Sequence, residues 1–538
     1  MDHSLEQEVH AWIADDPDPL TAAQLQQWLD SGNESELRAS FNGFLQFGTA
    51  GLRGPIRPGP SGMNRAVVGR AASGIAAYMK ERNLSSVVIG RDARYGSEDF
   101  TFETAEIMSG AGMKVYVLPR PLPTPVLAFA TNELLCDVGI MVTASHNPPQ
   151  DNGYKVYLGG TVDGIYYRGS QIVSPTDEAI AAKIAAVTSL KSQPRGKVWE
   201  VLGEEILEKY IARTASLATN PGKLRIVYTA MHGVGTETIQ GVFQKAGFPA
   251  PILVEAQAAP DPDFSTVAFP NPEEPGAIDL ALETARASDA HLVIANDPDA
   301  DRCAAAVNDP ATGWRMLRGD ELGAIFAESI ARKIDSGIFA NSIVSSSIVK
   351  KIADYYNLEF KETLTGFKWL AKIENLTFGY EEALGYAVDA ITVNDKDGVS
   401  AAITLAQIAT DLAAQGKTLL NLLDEVWARH GFHATEQISI RLSDLSKVGV
   451  ILGGLRNNPP HEIAGRSVSS IDDLASPTDG LPPTDGLRIW LDGGVRIIIR
   501  PSGTEAKMKC YIEAIEKDSK TAQLVLDQLR PPLKELLS

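Results

Sequence analysis

The chain has 538 residues, 44% of them apolar and 22% charged, a length that predicts three or four globular domains rather than one hydrophobic core. Its formal net charge of −19 argues against a nucleic-acid-binding protein, although a local basic cleft for an anionic ligand stays compatible with it. The N-terminus lacks an apolar signal core and no apolar run reaches the roughly 18 residues of a membrane span, so we expect a cytoplasmic protein without membrane contact.

The three cysteines, Cys136, Cys303 and Cys510, lie far apart, each in or beside an apolar run. Their spacing fits no metal-binding motif. We therefore expect buried thiols in a reducing compartment.

The first part of the chain alternates between helical and strand patterns. Helical periodicity is seen at about 4–40, 67–80 and 102–110, and strand patterns at 87–90 and 114–118. Such alternation predicts parallel sheets with helices on both faces. We place the first domain at residues 1–220.

A glycine-rich stretch, Phe-Gly-Thr-Ala-Gly-Leu-Arg-Gly, occupies residues 47–54. Its glycines allow close backbone approach, and Arg53 offers a planar fork for a phosphate or carboxylate. A glycine-rich turn with a structural arginine is the alternative.

An apolar run at Val138–Val142, predicted to be a buried strand, leads into Thr-Ala-Ser-His-Asn-Pro-Pro at 143–149. The two prolines exclude a helix, so the stretch is a stiff loop that presents Ser145 as a candidate nucleophile. Residues 151–153 carry turn signals, and Lys155 adds a cation. An ordinary surface loop is the alternative. A serine hydrolase is excluded because the loop lacks the glycines of a nucleophile elbow.

The second domain is placed at residues 221–318. A strand at 224–228 leads into His-Gly-Val-Gly at 232–235, which imitates a dinucleotide fingerprint. Because Thr238 stands where the third glycine belongs, we interpret it as a tight strand-to-helix turn.

A second strand, at 291–295, delivers Asp297, Asp299 and Asp301 at alternate positions, followed by Arg302. A curved loop can bring alternate carboxylates together, and they repel unless a cation lies between them. Their hard oxygen ligands favour Mg²⁺ or Ca²⁺. A solvated acidic loop is the alternative. An EF-hand is excluded, because Arg302 and Asn308 replace its glycine and its closing glutamate.

The third domain is placed at residues 319–432, with a helix at 319–330 and a strand at 342–345. Glu381 and Glu382 lie on a glycine-bounded turn that suits the hydroxyls of a sugar. An exposed acidic turn is the alternative. Gly-Lys-Thr at 416–418 is not a phosphate loop, because Asp411 stands where an upstream glycine is required.

The last domain is placed at residues 433–538, with an antiparallel strand at 436–442. A strand at 495–499 feeds Arg500, Ser502, Gly503 and Thr504, whose guanidinium, hydroxyls and exposed backbone suit a phosphate. A helix entry capped by Ser502 or Thr504 is the alternative.

Taken in order, the serine, aspartate, sugar-type and phosphate loops resemble those of the α-D-phosphohexomutase superfamily, which includes phosphoglucomutases and phosphomannomutases. The resemblance covers about 47–507 and is most specific at 143–148, 297–302 and 500–504. The glycine-rich opening and the length look most like the phosphoglucomutase-2/phosphopentomutase branch. The resemblance implies three similar α/β domains with mainly parallel mixed sheets and a smaller α+β C-terminal domain, around a central cleft.

The resemblance also implies roles for the loop residues. A phosphorylated Ser145 would hold Mg²⁺ together with Asp297, Asp299 and Asp301. His146 and Lys155 would transfer or position a proton. Arg53 and Arg302 would stabilise the phosphoryl group.

For the sugar, the resemblance implies a contact from Lys368 and a hydroxyl acceptor at Glu381, with Glu382 as the alternative. The distal phosphate site would consist of Arg500, Ser502, Gly503 and Thr504. Many relatives carry Glu-x-Ser in the sugar loop, whereas this chain has Ala383 after its two glutamates. The lost hydroxyl makes the hexose preference an open question.

The activity that the resemblance implies is an isomerase interconverting hexose 1-phosphate and hexose 6-phosphate, with glucose favoured. It would proceed through a phosphoserine and a hexose 1,6-bisphosphate, with glucose 1,6-bisphosphate as activator. Phosphomannomutase and phosphopentomutase are the alternatives within the superfamily, and a non-catalytic sugar-phosphate sensor is the alternative outside it. We expect a monomer or a homodimer.

Overall fold

The structure, a computed structural model, describes residues 3–442, 444, 446–501 and 507–538. The chain divides into two compact units. One consists of the residues up to Leu317 with Ala371–Thr377 and Leu384–Asp411, and the other of Arg318–Leu370, Phe378–Ala383 and Leu412–Ser538.

The helices are α1 (His3–Asp15), α2 (Pro19–Asp30), α3 (Glu34–Ser40), α4 (Arg65–Glu81), α5 (Ser97–Gly110), α6 (Thr124–Glu133), α7 (Thr176–Ala185), α8 (Glu205–Ala215), α9 (Gly235–Ala246), α10 (Glu255–Ala258), α11 (Asp279–Ala287), α12 (Gly319–Ala331), α13 (Ile348–Tyr355), α14 (Phe367–Leu370), α15 (Gly398–Ala413), α16 (Leu419–His430), α17 (Ser446–Asn457) and α18 (Ser519–Leu536).

The strands are β1 (Leu52–Pro55), β2 (Ser86–Arg91), β3 (Lys114–Val117), β4 (Val138–Val142), β5 (Asp151–Leu158), β6 (Thr161–Val162), β7 (Ile165–Tyr166), β8 (Ser170–Gln171), β9 (Glu200–Val201), β10 (Ile226–Thr229), β11 (Ile252–Leu253), β12 (Leu292–Ala295), β13 (Ala304–Asp309), β14 (Gly313–Met316), β15 (Ile338–Ser342), β16 (Glu359–Thr363), β17 (Leu376–Glu381), β18 (Gly385–Ala387), β19 (Phe432–Arg441), β20 (Glu462–Ile463), β21 (Arg466–Asp473), β22 (Leu487–Leu491), β23 (Val495–Pro501) and β24 (Lys507–Glu516).

The first unit contains two mixed sheets that position its loops. In the first sheet the order is β1-β5-β4-β2-β3-β9, with β8 beside β5; β2 is parallel to β3 and β4, and β5 is antiparallel to β1 and β4. In the second sheet the order is β11-β10-β12-β13-β14, parallel from β11 to β12 and antiparallel beyond. All five residues of β4 are buried, as its apolar sequence requires.

The second unit contains a parallel pair, β15 and β16, and an antiparallel sheet in the order β19-β24-β23-β22-β21-β20. Along the long antiparallel strands, alternate apolar residues face a hydrophobic core. This core includes Leu452, Ile489, Ile497, Ile512 and Leu526. The predicted fold class, α/β domains followed by a smaller α+β domain, is confirmed.

Two local predictions were wrong. Residues 151–153 form the start of β5 instead of a turn, and Gly153 is needed there because a Cβ would lie 2.5 Å from the carbonyl oxygen of Thr143. The strand predicted at 342–345 begins at Ile338 and ends at Ser342, where a turn closed by the Ser345 amide and the Ser342 carbonyl follows. The apolar pair Ile343 and Val344 is buried in a loop, and burial without periodicity does not distinguish a loop from a strand.

The helical pattern predicted at 4–40 is three helices, α1 to α3. Asp18 caps the N-terminus of α2, because its side chain accepts a hydrogen bond from the Leu20 amide, and Pro19 is the first residue of that helix. The three cysteines are free and buried, as predicted. Among the described residues, no helix combines the length and apolarity that crossing a membrane requires.

Candidate active site

Ser145 lies in the loop that follows β4 in the first unit. Its backbone has a left-handed φ of +52°, which costs a non-glycine residue about 1–2 kcal/mol, and its amide donates to Thr143 Oγ1 at 2.9 Å. The buried guanidinium of Arg94 donates to the carbonyl oxygens of Ser145 and Asn147, both at 2.6 Å. These charge-assisted bonds offset the strain and fix the serine loop.

The loop after β12 carries the three aspartates. All three side chains are buried, and one carboxylate oxygen from each lies within 4.8 Å of the others. The loop curves because Ala300 adopts a φ of +53° and donates its amide to the carbonyl of Asp297 at 2.8 Å. The structure therefore brings Asp297, Asp299 and Asp301 together in one buried cluster.

The serine loop and the aspartate loop meet in the first unit. The Ser145 hydroxyl donates to Oδ2 of Asp297 at 2.7 Å, and His146 Nδ1 lies 3.4 Å from the same hydroxyl. Thr124 donates to Asp299 twice, from its amide to the carbonyl at 2.9 Å and from its hydroxyl to Oδ2 at 2.7 Å. A nucleophile candidate and a carboxylate cluster thus share one buried place.

Cationic side chains surround the carboxylates. Lys155, on β5, places Nζ 2.8 Å from Asp299 Oδ2 and 2.7 Å from Asp301 Oδ2. Lys396 places its Nζ 3.1 Å from Asp301 Oδ2, and Arg302 Nε lies 3.8 Å from Asp297 Oδ2. The cluster is thereby partly neutralised by its own chain.

Burial sets the ionisation of these groups. Burial, together with the neighbouring Asp301 and Asp299, raises the pKa of Asp297 well above its usual range. Burial also opposes ionisation of Asp299, but the ammonium of Lys155 outweighs it and lowers the pKa of Asp299. Burial, followed by the charges of Arg302 and Arg53, lowers the pKa of His146 well below 6.5. The imidazole beside Ser145 is therefore neutral at neutral pH.

The donor set fits a hard divalent cation. The three carboxylates supply oxygen ligands, which Mg²⁺ and Ca²⁺ prefer. Asp299 Oδ1 and Asp301 Oδ1 are buried and accept no hydrogen bond from the described residues, although Arg302 Nε is 3.9 Å from the latter. Buried carboxylate oxygens without hydrogen-bond donors are costly unless a cation reaches them.

Arg53 lies on β1, opposite Gly153 of β5, and is held at the serine loop. Its guanidinium donates to Asn147 Oδ1 at 3.3 Å. Burial lowers its pKa, and the nearby charge of Asp299 opposes that shift. Arg53 therefore lies beside the loop that carries Ser145.

The remaining predicted residues belong to the second unit. Glu381 is the last residue of β17, and its Oε1 accepts a hydrogen bond from the Gly366 amide at 2.6 Å. Gly366 lies two residues before Lys368 of α14. The Glu382 carboxylate accepts from hydroxyl groups, and burial, with Glu381 and Asp320 nearby, raises its pKa to about 7. Arg500, on β23, lies 6.0 Å from the Tyr511 ring. The predicted Ser502, Gly503 and Thr504 lie outside the described residues.

The sequence reasoning missed three residues at this site, Thr124, Arg94 and Lys396. Lys396 precedes Asp397 and Gly398 at the start of α15, and a Cβ at Gly398 would lie 2.2 Å from the carbonyl oxygen of Arg302. The available signal was a Lys-Asp-Gly sequence opening a helix. It indicates a helix start and does not name Asp301 as the partner.

The His-Gly-Val-Gly sequence is the predicted strand-to-helix turn, between Thr229 at the end of β10 and Gly235 at the start of α9. It supports the aspartate loop, because Val234 donates its amide to the Pro298 carbonyl at 2.9 Å. A Cβ on Gly233 would lie 2.3 Å from Pro298.

Four family models match the chain. They are described as the α/β/α domains I, II and III of phosphoglucomutase/phosphomannomutase, at residues 45–191, 207–313 and 318–430, and the C-terminal domain of the same family, at 454–530.

Full-length relatives carry names for different sugars. A "probable phosphomannomutase" of Haemophilus influenzae is 48% identical, with 88% of this chain and 98% of the relative covered. A phosphopentomutase of Mus musculus is 33% identical, over 95% of this chain and 90% of the relative. A phosphoglucomutase of Staphylococcus aureus is 32% identical, over 92% of this chain and 96% of the relative.

Proposed function

The chain belongs to the phosphoglucomutase/phosphomannomutase family of phosphotransferring isomerases, and from this premise we propose that it is a phosphohexomutase. In our proposal it moves a phosphoryl group between the carbon-1 and carbon-6 oxygens of a hexose phosphate, with Ser145 as the carrier. The observation that carries this proposal is the Ser145 hydroxyl, 2.7 Å from Asp297 within a buried cluster of three aspartates.

The first step transfers the phosphoryl group from Ser145 to a sugar hydroxyl. The bond between phosphorus and Ser145 Oγ breaks, a bond from phosphorus to the sugar oxygen forms, and the proton of the sugar hydroxyl ends on the departing Ser145 Oγ. We assign this proton transfer to His146, because its neutral imidazole can accept and return a proton and its Nδ1 lies 3.4 Å from Ser145 Oγ, whereas Lys155 Nζ is engaged by two carboxylates. Lys155 is then a positioning residue for Asp299 and Asp301.

Asp297, Asp299 and Asp301, with the serine phosphate, would hold Mg²⁺. When bound, the cation neutralises charge on the phosphoryl group being transferred. Arg53 and Arg302 supply guanidinium donors from the same region, and such donors are strongest where charge develops. Their proximity to Asn147 and to Asp297 supports this assignment.

A mutase must hold one phosphate while the other reacts. We assign the distal phosphate to Arg500, with Ser502, Gly503 and Thr504, and the sugar hydroxyls to Lys368 and the Glu381–Glu382 pair. The hexose 1,6-bisphosphate formed in the first step then presents its other phosphate to Ser145, which restores the phosphoserine. Glucose 1,6-bisphosphate is accordingly the proposed activator, because it phosphorylates an enzyme that lacks the phosphate.

Among sugars we propose that glucose phosphate is favoured, with mannose and pentose phosphates as the alternatives. The glycine-rich opening at 47–54 supports the phosphoglucomutase-2/phosphopentomutase branch. The relatives' names are divided among mannose, pentose and glucose, so the preference has to be measured on this chain.

The test is a coupled mutase assay on the purified chain with glucose, mannose and ribose 1-phosphates, with and without Mg²⁺ and glucose 1,6-bisphosphate. We expect Mg²⁺-dependent turnover that the bisphosphate stimulates, and the highest kcat/KM for glucose 1-phosphate. If mannose or ribose 1-phosphate gives a higher kcat/KM than glucose 1-phosphate, that sugar phosphate is the preferred substrate. Absence of turnover with all three sugars would contradict the proposed function.

A further inference from the structure

Lys396 lies between two buried aspartates whose carboxylates are held by other elements of the first unit. Asp395 accepts a hydrogen bond from Gln171 Nε2, on β8, at 2.9 Å, and its other carboxylate oxygen accepts the Lys396 amide at 2.8 Å. On the other side, the hydroxyl of Tyr210, on α8, lies 2.9 Å from both carboxylate oxygens of Asp397. The backbone on each side of Lys396 is therefore tied to a side chain from a distant part of the chain.

The same segment is bound to the aspartate loop. The Asp397 carboxylate accepts the amides of Val399 at 2.9 Å and Ser400 at 3.1 Å, and it thereby caps the N-terminus of α15. Asn296, the residue before the first aspartate of the cluster, donates from Nδ2 to the Gly398 carbonyl at 3.2 Å. Because buried hydrogen bonds to carboxylates are costly to break, the start of α15 is a firm support for the residue that precedes it.

The two lysines at Asp301 are held in different ways. Lys396 Nζ lies 3.1 Å from Asp301 Oδ2, which Lys155 Nζ also contacts at 2.7 Å. Lys155 belongs to β5, where the antiparallel pairing with β4 fixes its place. Lys396 belongs to a loop, so the place of its ammonium depends on the bonds at the two aspartates beside it. Because like charges close together repel strongly in a buried site, this ammonium opposes a cation bound at Asp301.

We propose that Gln171 and Tyr210 are positioning residues that hold Lys396 at Asp301, and that the ammonium held there sets how tightly the aspartate cluster binds its divalent cation. The cluster carries three carboxylates, and a fixed cationic neighbour lowers its affinity for the metal ion. This inference rests on the proposed function, since it presumes that Asp297, Asp299 and Asp301 bind a divalent cation.

The test measures binding of Mn²⁺ alone, which prefers the same oxygen ligands as Mg²⁺. Free Mn²⁺ is measured by electron paramagnetic resonance on enzyme whose Ser145 is unphosphorylated, as intact mass verifies. We expect Lys396→Met to lower the Kd for Mn²⁺ by about tenfold, and Tyr210→Phe and Gln171→Ala to lower it by about threefold, because the ammonium is then absent or less often at Asp301. General damage to the site would raise the Kd, so a lower Kd distinguishes positioning from loss of structure.

Two control variants remove similar hydrogen bonds elsewhere. Tyr356→Phe removes a bond of the same type, from a tyrosine hydroxyl to the buried carboxylate of Glu328 at 2.9 Å, in the second unit. Gln193→Ala removes a bond from a glutamine Nε2 to the Ser189 carbonyl at 3.2 Å. Both should bind Mn²⁺ as the wild type does. Thermal unfolding of every variant checks that it is folded.

A second arm asks whether the two residues act through Lys396. In a Lys396→Met background, Tyr210→Phe and Gln171→Ala should change the Kd no further, because the group that they position is gone. An unchanged or raised Kd in the folded single variants, or an equal change in both backgrounds, would overturn the inference. If one of the two does not fold, the other gives the decision. If the wild type binds no Mn²⁺, the cation assignment in the proposed function fails as well, whereas Mn²⁺ binding by the wild type with unaltered variants overturns this inference alone.

Discussion

Ser145 and Asp297 are 152 positions apart in the chain, and the Ser145 hydroxyl donates to Oδ2 of Asp297 at 2.7 Å. Each residue follows a buried strand of a different sheet in the first unit, β4 for the serine and β12 for the aspartate. A nucleophile candidate is thereby held against carboxylates that can bind a cation, an arrangement suited to metal-assisted phosphoryl transfer.

Replacement of Ser145 by alanine removes the proposed phosphoryl carrier. We expect Ser145→Ala to lower mutase activity by roughly three orders of magnitude or more, because the covalent step is lost. Intact mass spectrometry should find a phosphate adduct on the wild type and none on the variant. Ser192→Ala, at an exposed position, is the control and should keep both activity and adduct. Near-normal turnover by Ser145→Ala would exclude the serine as carrier.

Asp299 is predicted to be a metal ligand. Asp299→Asn removes one negative charge from the cluster, so we expect half-maximal activity to need roughly tenfold more Mg²⁺, with a lower maximum. The measurement is activity against Mg²⁺ concentration, with Asp335→Asn at an exposed position as the control. If the two variants give the same curve as the wild type, Asp299 does not bind the cation.

Arg500 is predicted to grip the distal phosphate during reorientation of the bisphosphate. We expect Arg500→Ala to raise KM about tenfold or more and to release bisphosphate faster, since a charge-assisted fork is lost. Arg500→Lys keeps the charge without the fork and should lie between the alanine variant and the wild type. The measurement is bisphosphate released from phosphorylated enzyme given glucose 1-phosphate. Equal release by all three proteins would remove Arg500 from the phosphate site.

Glu382 should make stability depend on pH. The pKa of its carboxyl is about 7 in the folded chain against 4.5 in the unfolded chain, so between these values the unfolded chain has released the proton that the folded chain retains. Raising the pH through this window therefore favours unfolding, by about 3 kcal/mol in total.

Glu382→Gln removes this titration and can still accept the hydroxyl of Ser345. Relative to the wild type, the variant should gain stability between pH 5 and pH 8, measured as the shift of the urea midpoint at each pH. Glu374→Gln, at an exposed position, is the control and should show a constant difference. A constant difference for Glu382→Gln as well would mean that this carboxyl ionises normally in the folded chain.

The sequence by itself identified the two loops that meet in the candidate active site, because those signals are local. Prolines after an apolar strand made the Ser145 loop stiff, and three aspartates at alternate positions after another strand indicated a cation site. The alternation of strand and helix patterns likewise determined the fold class, which the structure confirms.

Only the tertiary structure decided which distant residues complete the site. Lys396 reaches Asp301, and Thr124 reaches Asp299 across 175 positions. Such contacts depend on how separate elements pack, and neither periodicity nor composition encodes that packing locally. For the same reason Gly153 resembled a turn residue in the sequence, whereas the neighbouring strands require a residue without a side chain inside β5.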